Sequence, residues 1–426
     1  MTVALLVLGL FVGLFVLRLP VAFALLLPSV GYILLTGNVS FSIALQQVTG
    51  GIDSFVLLAI PLFILMGNLA NAAGVTDRMF SGVQAVIGHV RGSYGYTNVL
   101  VSLGFSWMNG SALADIAGAG KMQVPVMVRE GYGRRYTLGL TGAASMIGPI
   151  MPPSIPAVLF ALTAGVSMGG MLIAGVLPAL LITVVLLVTV WWMSRSWEHL
   201  RSPRPAPRVA ARRVLTAAPA LITPLILLGG ILGGVFTPTE AAAAAAAYML
   251  LLGVAYRSFS WSALRDTLRS TADTTAGVMV IIASATLFAW ILSLERAPDL
   301  LAQYLVGAID QAWVFLLVVN LLLLLFGAVM ETGALILILV PVLLPAAEAF
   351  GIHPLHLGVV VVFNLMLGLL TPPMGLVLFV LDAVTGSGFN EVVRGVALFA
   401  APLLGALALV TYVPVLSTGL PGLLGF

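Results

Sequence analysis

Apolar runs of membrane-crossing length follow one another along almost the whole of this 426-residue chain, separated only by short polar breaks. A helix needs ~20 mainly apolar residues to cross a ~30 Å hydrocarbon core. Runs of that order cover roughly residues 2–19, 20–36, 55–74, 137–165, 171–193, 218–236, 239–256, 274–294, 357–381 and 397–416. In lipid, backbone N–H and C=O groups must be satisfied within the protein, and runs this long meet that condition as helices. Composition agrees. Charged residues make up 8% of the chain, far below a soluble domain, and cannot cover a water-facing surface. The expected fold is therefore an all-α polytopic membrane protein. The chain has no cysteine, which removes disulfides, thiolate metal sites and cysteine nucleophiles. Residues 2–17 have no basic segment before them and no small-residue cleavage site after them, so they read as a retained span rather than a signal peptide.

Two further apolar regions, about 97–128 and 313–350, do not read as simple spans. Asn109-Gly110-Ser111, followed by Asp115, breaks the first, and Met330-Glu331-Thr332-Gly333 breaks the second. Each arm is ~15–17 residues, or ~22–26 Å of helix, too short for a full crossing. Both regions are expected to be re-entrant helical hairpins, because broken backbone at membrane depth is tolerated only inside protein or beside a water-filled cavity.

The arginines give an orientation. Arg195, Arg201, Arg204, Arg208, Arg212 and Arg213 crowd the polar segment 194–216. The positive-inside rule makes this a cytoplasmic linker. Counting spans outward from it puts Arg18, Arg78, Arg91, Arg129, Arg134, Arg135, Arg257, Arg265, Arg269 and Arg394 inside as well. The outer segments near 37–54 and 295–312 hold only Arg296. The N-terminus is then periplasmic, the first hairpin enters from the cytoplasm and the second from the periplasm. The modest net charge of +3 reads as membrane topology rather than nucleic-acid binding. Trp191, Trp192 and Trp197 fit an interfacial belt.

The chain also repeats itself. Gly148-Pro149-Ile150-Met151-Pro152-Pro153 and Gly368-Leu369-Leu370-Thr371-Pro372-Pro373 share the pattern G-x-x-x-P-P, 220 residues apart. Pro20 and Pro238, Asp77 and Asp299, and the hairpin glycines Gly110 and Gly333 keep nearly the same offset. Residues 1–193 and 217–426 are expected to be two repeats around the linker 194–216, each with five crossings, one hairpin and one Gly/Pro-broken helix. Five is odd, so the second repeat must run inverted, a recurring plan of secondary transporters with the site near mid-membrane.

Two prolines after a glycine unwind a helix, freeing carbonyl oxygens and creating new half-helix ends. Carbonyls suit a hard cation such as Na⁺, and half-helix N-termini suit an anion. The polar groups nearby are Asn109, Ser111, Ser145, Ser154, Thr332 and Thr371. A kink without a site remains the alternative for either break. Asp115 and Lys121 lie where charge is costly, and either pair with each other or sit near the cytoplasmic edge. Glu331 is protonated, paired or part of the site. Ala241–Ala247 would let helices approach closely. Thr237-Pro238-Thr239-Glu240 reads as a helix start. His353 and His356 flank Pro354 with no further ligands nearby, so no metal beyond Na⁺ is expected.

Four segments together resemble the large membrane subunit of tripartite ATP-independent periplasmic (TRAP) transporters: Leu58–Phe80, Gly110–Pro156, Gly234–Tyr248 with its TPTEA stretch, and Gly351–Val380. The second hairpin tip departs from the family pattern, where the acidic residue near Glu331 is often aspartate. The resemblance implies a sodium-coupled elevator carrier in the cell inner membrane. It implies two partners, a small four-span membrane subunit and a periplasmic solute-binding protein, and an organic acid substrate of the dicarboxylate, sialic acid or 2-oxo acid class. No cofactor is implied besides Na⁺ as coupling ion. One Na⁺ would lie between Asn109, Gly110, Ser111 and the stretch containing Gly148, Pro152 and Ser154. A second would lie between Gly327–Thr332 and Gly368–Thr371. The substrate would lie against Ser145, Ser154, Glu331 and Thr371. The second reading is a stand-alone Na⁺- or H⁺-coupled organic anion carrier. An intramembrane enzyme finds no support, since neither H-E-x-x-H nor G-x-S-x-G occurs.

Overall fold

The computed structural model describes residues 2–17, 19–37, 39–195 and 205–426. Arg18, Trp197, Arg201 and Arg204 lie outside the described residues, as does most of the first part of the 194–216 segment.

Among the described residues all regular structure is helical. The chain opens with α1 (Thr2–Val16), α2 (Val21–Thr36), α3 (Phe41–Ile52), α4 (Ala59–Ala72) and α5 (Val75–Ile87). The first hairpin follows: α6 (Ser93–Ser106) leads in, and α7 (Ala112–Asp115) and α8 (Lys121–Arg129) lead out through a π-helical turn, Ile116–Gly120. Next come α9 (Arg134–Ala144), α10 (Ile147–Ile150), α11 (Ile155–Ala164), α12 (Met168–Ala174) and α13 (Val176–Ser194). Beyond residue 205, α14 (Pro207–Ala217), α15 (Ile222–Pro224) and α16 (Gly230–Leu232) join through tight and wide turns into one apolar run. Then come α17 (Pro238–Ala255), α18 (Trp261–Leu294) and α19 (Ala297–Ala308). The second hairpin is α20 (Ala312–Gly327) and α21 (Thr332–Ala349). The chain finishes with α22 (Pro354–Leu369), α23 (Leu376–Thr385), α24 (Phe389–Tyr412) and α25 (Val415–Leu423). The order single span, single span, span with amphipathic arm, hairpin, broken helix, long helix occurs twice.

Seven helical runs among the described residues are long and apolar enough to cross a membrane: 55–72, 168–194, 207–232, 238–255, 261–294, 332–349 and 389–412. The pair Arg134–Ile150 and Ile155–Ala164, bent by 41°, makes an eighth. This differs from the ten runs read from sequence. α1, α2 and α22 are apolar but only 15 or 16 residues long. The outgoing hairpin arm α21, with 18 residues, is as long as a span.

Two expected boundaries move. The segment 194–216 is not polar linker throughout, because α14 starts at Pro207, where a proline without an N–H costs nothing. Arg208, Arg212 and Arg213 face out from this helix and hide it from a hydropathy reading. α14 packs on α5, and Gly82 of α5 sits against Ala217 and the carbonyl of Arg213. The span expected at 274–294 is the second part of α18, whose charged first turns begin at Ser260, its cap.

Small residues line the contact between α17 and α4. Ala241, Ala242, Ala245 and Ala246 are buried where α17 lies along α4. Without side chains in the way, backbones approach and dispersion replaces the hydrophobic drive that lipid cannot supply. α17 starts with a capping box: Thr237 Oγ1 accepts from the Glu240 N–H, and the Thr237 N–H donates to Glu240 Oε2 at 2.8 Å.

Candidate functional site: two hairpin tips on two broken helices

The first hairpin turns at Trp107–Ser111, where Asn, Gly and Ser replace the apolar run. Ser111 caps α7, its Oγ accepting from the Ala114 N–H at 3.4 Å, and Asn109 Nδ2 donates to the Ser111 carbonyl at 3.4 Å. The first broken helix stops at Ile150 and is extended over Met151–Ser154, with the Pro152–Pro153 peptide cis. Ser154 restarts it as α11: its Oγ accepts from the Ala157 N–H at 3.0 Å and donates to the Pro149 carbonyl.

Tip and break touch backbone to backbone. A Cβ on Gly110 would strike the Pro153 carbonyl, and one on Gly148 would lie 3.1 Å from the Asn109 carbonyl. Gly67 of α4 abuts the same turn, 3.1 Å from Asn109 Oδ1 by the same construction. The glycines are there because nothing larger lets the turn seat.

The second junction is built alike. α20 ends at Gly327 and α21 begins at Thr332, capped by Glu331, whose Oε2 accepts from the Ala334 N–H at 3.0 Å. α22 ends at Leu369, and Pro372–Pro373 is also cis. Gly375, at φ +43°, opens α23 and donates its N–H to the Ala328 carbonyl at 3.0 Å. Gly327 and Gly368 meet so closely that a Cβ on Gly368 would lie 2.5 Å from Gly327 backbone carbon.

The structure thus brings Asn109, Gly110 and Ser111 onto Gly148 and Pro152–Ser154, and Gly327–Ala328 onto Gly368 and Gly375. Thr332 is buried at the second tip, and its Oγ1 has no partner. Ser145 is buried but bonds its own helix at the Gly142 carbonyl, 2.8 Å away. Thr371 Oγ1 likewise donates to Leu367, at 2.8 Å. The two breaks differ in exposure: Met151–Ser154 are buried, whereas Thr371–Met374 are exposed.

The half-helices cross over. α11, after the first break, packs on α21 of the second hairpin, with Leu159 over Gly333. α23, after the second break, packs on α7 and the π turn of the first hairpin.

Two side-chain pairs escaped the sequence reading. Asn98 on α6 donates to Thr141 Oγ1 on α9 at 2.8 Å, and Asn364 on α22 donates to Asn320 Oδ1 on α20 at 2.5 Å. Each ties the ingoing hairpin arm to the broken helix, at offsets of 222 and 223 residues. The signal was an isolated amide at the same place in two apolar runs. Asp115 does not pair with Lys121: Lys121 is exposed, while buried Asp115 accepts from Ser102 Oγ at 3.1 Å. His353 caps α22, and His356 bonds Ser417 Oγ at 2.7 Å; among the described residues no group of three metal-ligating side chains exists.

The comparisons with known proteins agree with this architecture. The family model described as "Tripartite ATP-independent periplasmic transporter, DctM component" matches residues 8–416. The sialic acid TRAP transporter large permease protein SiaM of Vibrio cholerae is 40% identical over 96% of each chain. The C4-dicarboxylate TRAP transporter large permease protein DctM of Pseudomonas aeruginosa is 39% identical over 88% of each. The 2,3-diketo-L-gulonate TRAP transporter large permease protein YiaN of Escherichia coli is 34% identical over 96% of each. Among solved structures, the Alcanivorax borkumensis YdaH transporter aligns with a TM-score of 0.64 over 89% of each chain at 18% identity, a likeness of fold. A multi-pass helical chain with two hairpins seated on two broken helices, matched along nearly its whole length, belongs to the DctM family of TRAP transporter large permease subunits.

Proposed function

We propose that this subunit imports an organic acid together with Na⁺, taking the substrate from a periplasmic binding protein and working beside a small four-span membrane subunit. The observation that carries the reading is the double junction: each hairpin tip rests backbone to backbone on a broken helix, and helix ends have carbonyls without an intrahelical partner, which suit a hard cation. One Na⁺ is held by the Asn109–Ser111 turn with Gly148–Ser154, and one by Gly327–Thr332 with Gly368–Thr371. The orphan Thr332 hydroxyl supports the second. The substrate anion lies between the junctions. All four residues expected there, Ser145, Ser154, Glu331 and Thr371, are bonded within their own segments, and of these Thr371 is the exposed one.

The recurring helix order supports two inverted repeats, 1–193 and 217–426, with the N-terminus periplasmic and the intervening segment cytoplasmic in the inner membrane. The hairpins, broken helices and crossed half-helices form one unit that slides against α1, α2, α4, α17 and α18. Relatives named for sialic acid, C4-dicarboxylates and 2,3-diketo-L-gulonate support an organic acid cargo. A tenfold Na⁺ gradient supplies ~1.4 kcal/mol per ion. Two ions with a dianion give ~2.8 kcal/mol, on the order of a hundredfold accumulation.

Uptake by proteoliposomes tests this. Accumulation should require inward Na⁺, the small subunit and the loaded binding protein. Uptake by this chain alone supports the stand-alone carrier instead, and uptake driven equally by choline removes the sodium coupling.

A further inference from the structure

The two hairpins are built alike at their tips and in the amide pair that ties each to its broken helix, but they differ between their arms. Inside the first hairpin, Asp115 stands one turn past the tip, buried at 4% exposure. One of its oxygens accepts from Ser102 Oγ at 3.1 Å, and the other, Oδ1, has no partner. Asn98 lies one turn along α6 from Ser102 on the same face. Its amide N–H₂ is used by Thr141, and its Oδ1 is left over. Gln123, two turns beyond Asp115, is wholly buried with neither amide atom bonded. Gly120, between Asp115 and Gln123, sits against the Thr141 that Asn98 bonds, whereas Gln123 stands ~12 Å of helix beyond Asp115, out of reach of an ion that Asp115 touches.

At offsets of 220–223 residues the second hairpin has Leu322–Leu325 for Ser102, Leu335–Ile338 for Asp115 and Leu343–Ala346 for Gln123. The Asn98–Thr141 pair is kept there as Asn320–Asn364, yet none of the other polar groups is. A re-entrant hairpin of this shape therefore folds with hydrocarbon at those places. The polar interior of the first hairpin is not a demand of the architecture, and it is costly: unpaired buried amides and a buried carboxylate are each unfavourable in lipid.

We propose that Asp115, Ser102 and Asn98 form a site for one Na⁺ inside the first hairpin, separate from both tip-to-break junctions. The left-over atoms favour this occupant. With Asp115 ionised, its left-over Oδ1 and that of Asn98 are both acceptors and cannot pair each other; with Asp115 protonated they can, and the proton uptake measured below separates that case. A water molecule pairs amides but leaves the charge unbalanced. A cation among carboxylate, amide and hydroxyl oxygens answers both, with the hard donors that Na⁺ takes. Lys121 does not compete, because it is exposed and Asp115 bonds Ser102. The inference shares with the proposed function only the premise that the carrier meets Na⁺.

Equilibrium binding of radioactive Na⁺ to the purified full chain in detergent, at constant ionic strength with choline, counts the ions. Asp115→Asn should bind one Na⁺ fewer than wild type. Asp115→Leu, which copies the second hairpin, should do the same while unfolding cooperatively. Equal counts in wild type and both variants overturn the proposal, as does a difference that appears only in proton uptake. If either variant fails to fold, Ser102→Ala keeps the charge and removes one oxygen. It must weaken one Na⁺ about tenfold, and unchanged affinity overturns the site. Gly368→Ala separates this reading from the junctions. Loss of one ion in Asp115→Asn with wild-type Na⁺ affinity at every site in Gly368→Ala refutes the second junction site and leaves this one standing.

Discussion

Gly368→Ala is the sharpest perturbation of the second junction. The new Cβ would stand 2.5 Å from the backbone of Gly327, and an ordinary contact needs 3.4 Å, so tip and break must part by about 0.9 Å. No flexible side chain can yield, since both partners are backbone. Overpacking of this kind costs ~1–3 kcal/mol. Alanine in place of a helical glycine returns up to ~1 kcal/mol, so the net loss of stability is at most ~3 kcal/mol and the protein still folds. An ion held by carbonyls from both sides of the gap tolerates such a shift poorly. Displacements near 1 Å in a preorganised site cost on the order of a hundredfold. The half-saturating Na⁺ concentration for uptake should therefore rise 10- to 100-fold, with the melting temperature in detergent little changed. Gly277→Ala is the control: it lies in α18 with open space around it and should change only helix propensity. A wild-type Na⁺ dependence in Gly368→Ala, or an equal shift in Gly277→Ala, would refute the reasoning.

Thr332→Val removes a buried hydroxyl that has no partner, so thermal stability should hold or rise while the half-saturating Na⁺ concentration increases several-fold; unchanged uptake kinetics would show that this oxygen binds nothing. Asn320→Leu leaves Asn364 Nδ2 only the Val360 carbonyl and takes the amide partner from Thr411 Oγ1, so it should cost ~1–3 kcal/mol, read as a lower melting temperature, and Asn320→Leu with Asn364→Val should recover part of it. Thr237→Ala breaks the capping box of α17 and should cost ~1 kcal/mol with uptake kinetics unaltered, because the cap is exposed and remote from both junctions.

Much of the site was legible because membrane sequences leave few reasons for a polar or helix-breaking residue. Asn109-Gly110-Ser111 and the two Pro-Pro stretches stand out against hydrocarbon, and their common offset located both junctions. The roles of single side chains were less legible. Ser145 and Thr371 look available in the sequence, but a hydroxyl in a helix readily bonds the carbonyl one turn back, and both do so. Glu331 reads as a possible ligand, yet an acidic residue before a helix is also its natural cap. α14 was half hidden because three exposed arginines mask an alanine-rich helix, and α18 because its first turns carry charge. The π-helical turn at Ile116–Gly120 has no sequence signal of its own; it depends on how α7 and α8 pack against α9 and α23.

The crossed half-helices set a timetable for synthesis. The first hairpin's outgoing arm is finished at Arg129, but α23, which covers it, begins only at Leu376, about 250 residues later. At a bacterial translation pace of ~5–20 residues per second, that arm waits roughly 10–50 s for its partner. During this interval the face of α7 and the π turn that α23 later covers stands in a half-built bundle, open to the insertion machinery and to membrane proteases. The N-terminal half therefore cannot mature as an independent unit. A nascent chain stalled before residue 376 should be cleared faster than one released after residue 385, though only a few turns of helix separate them.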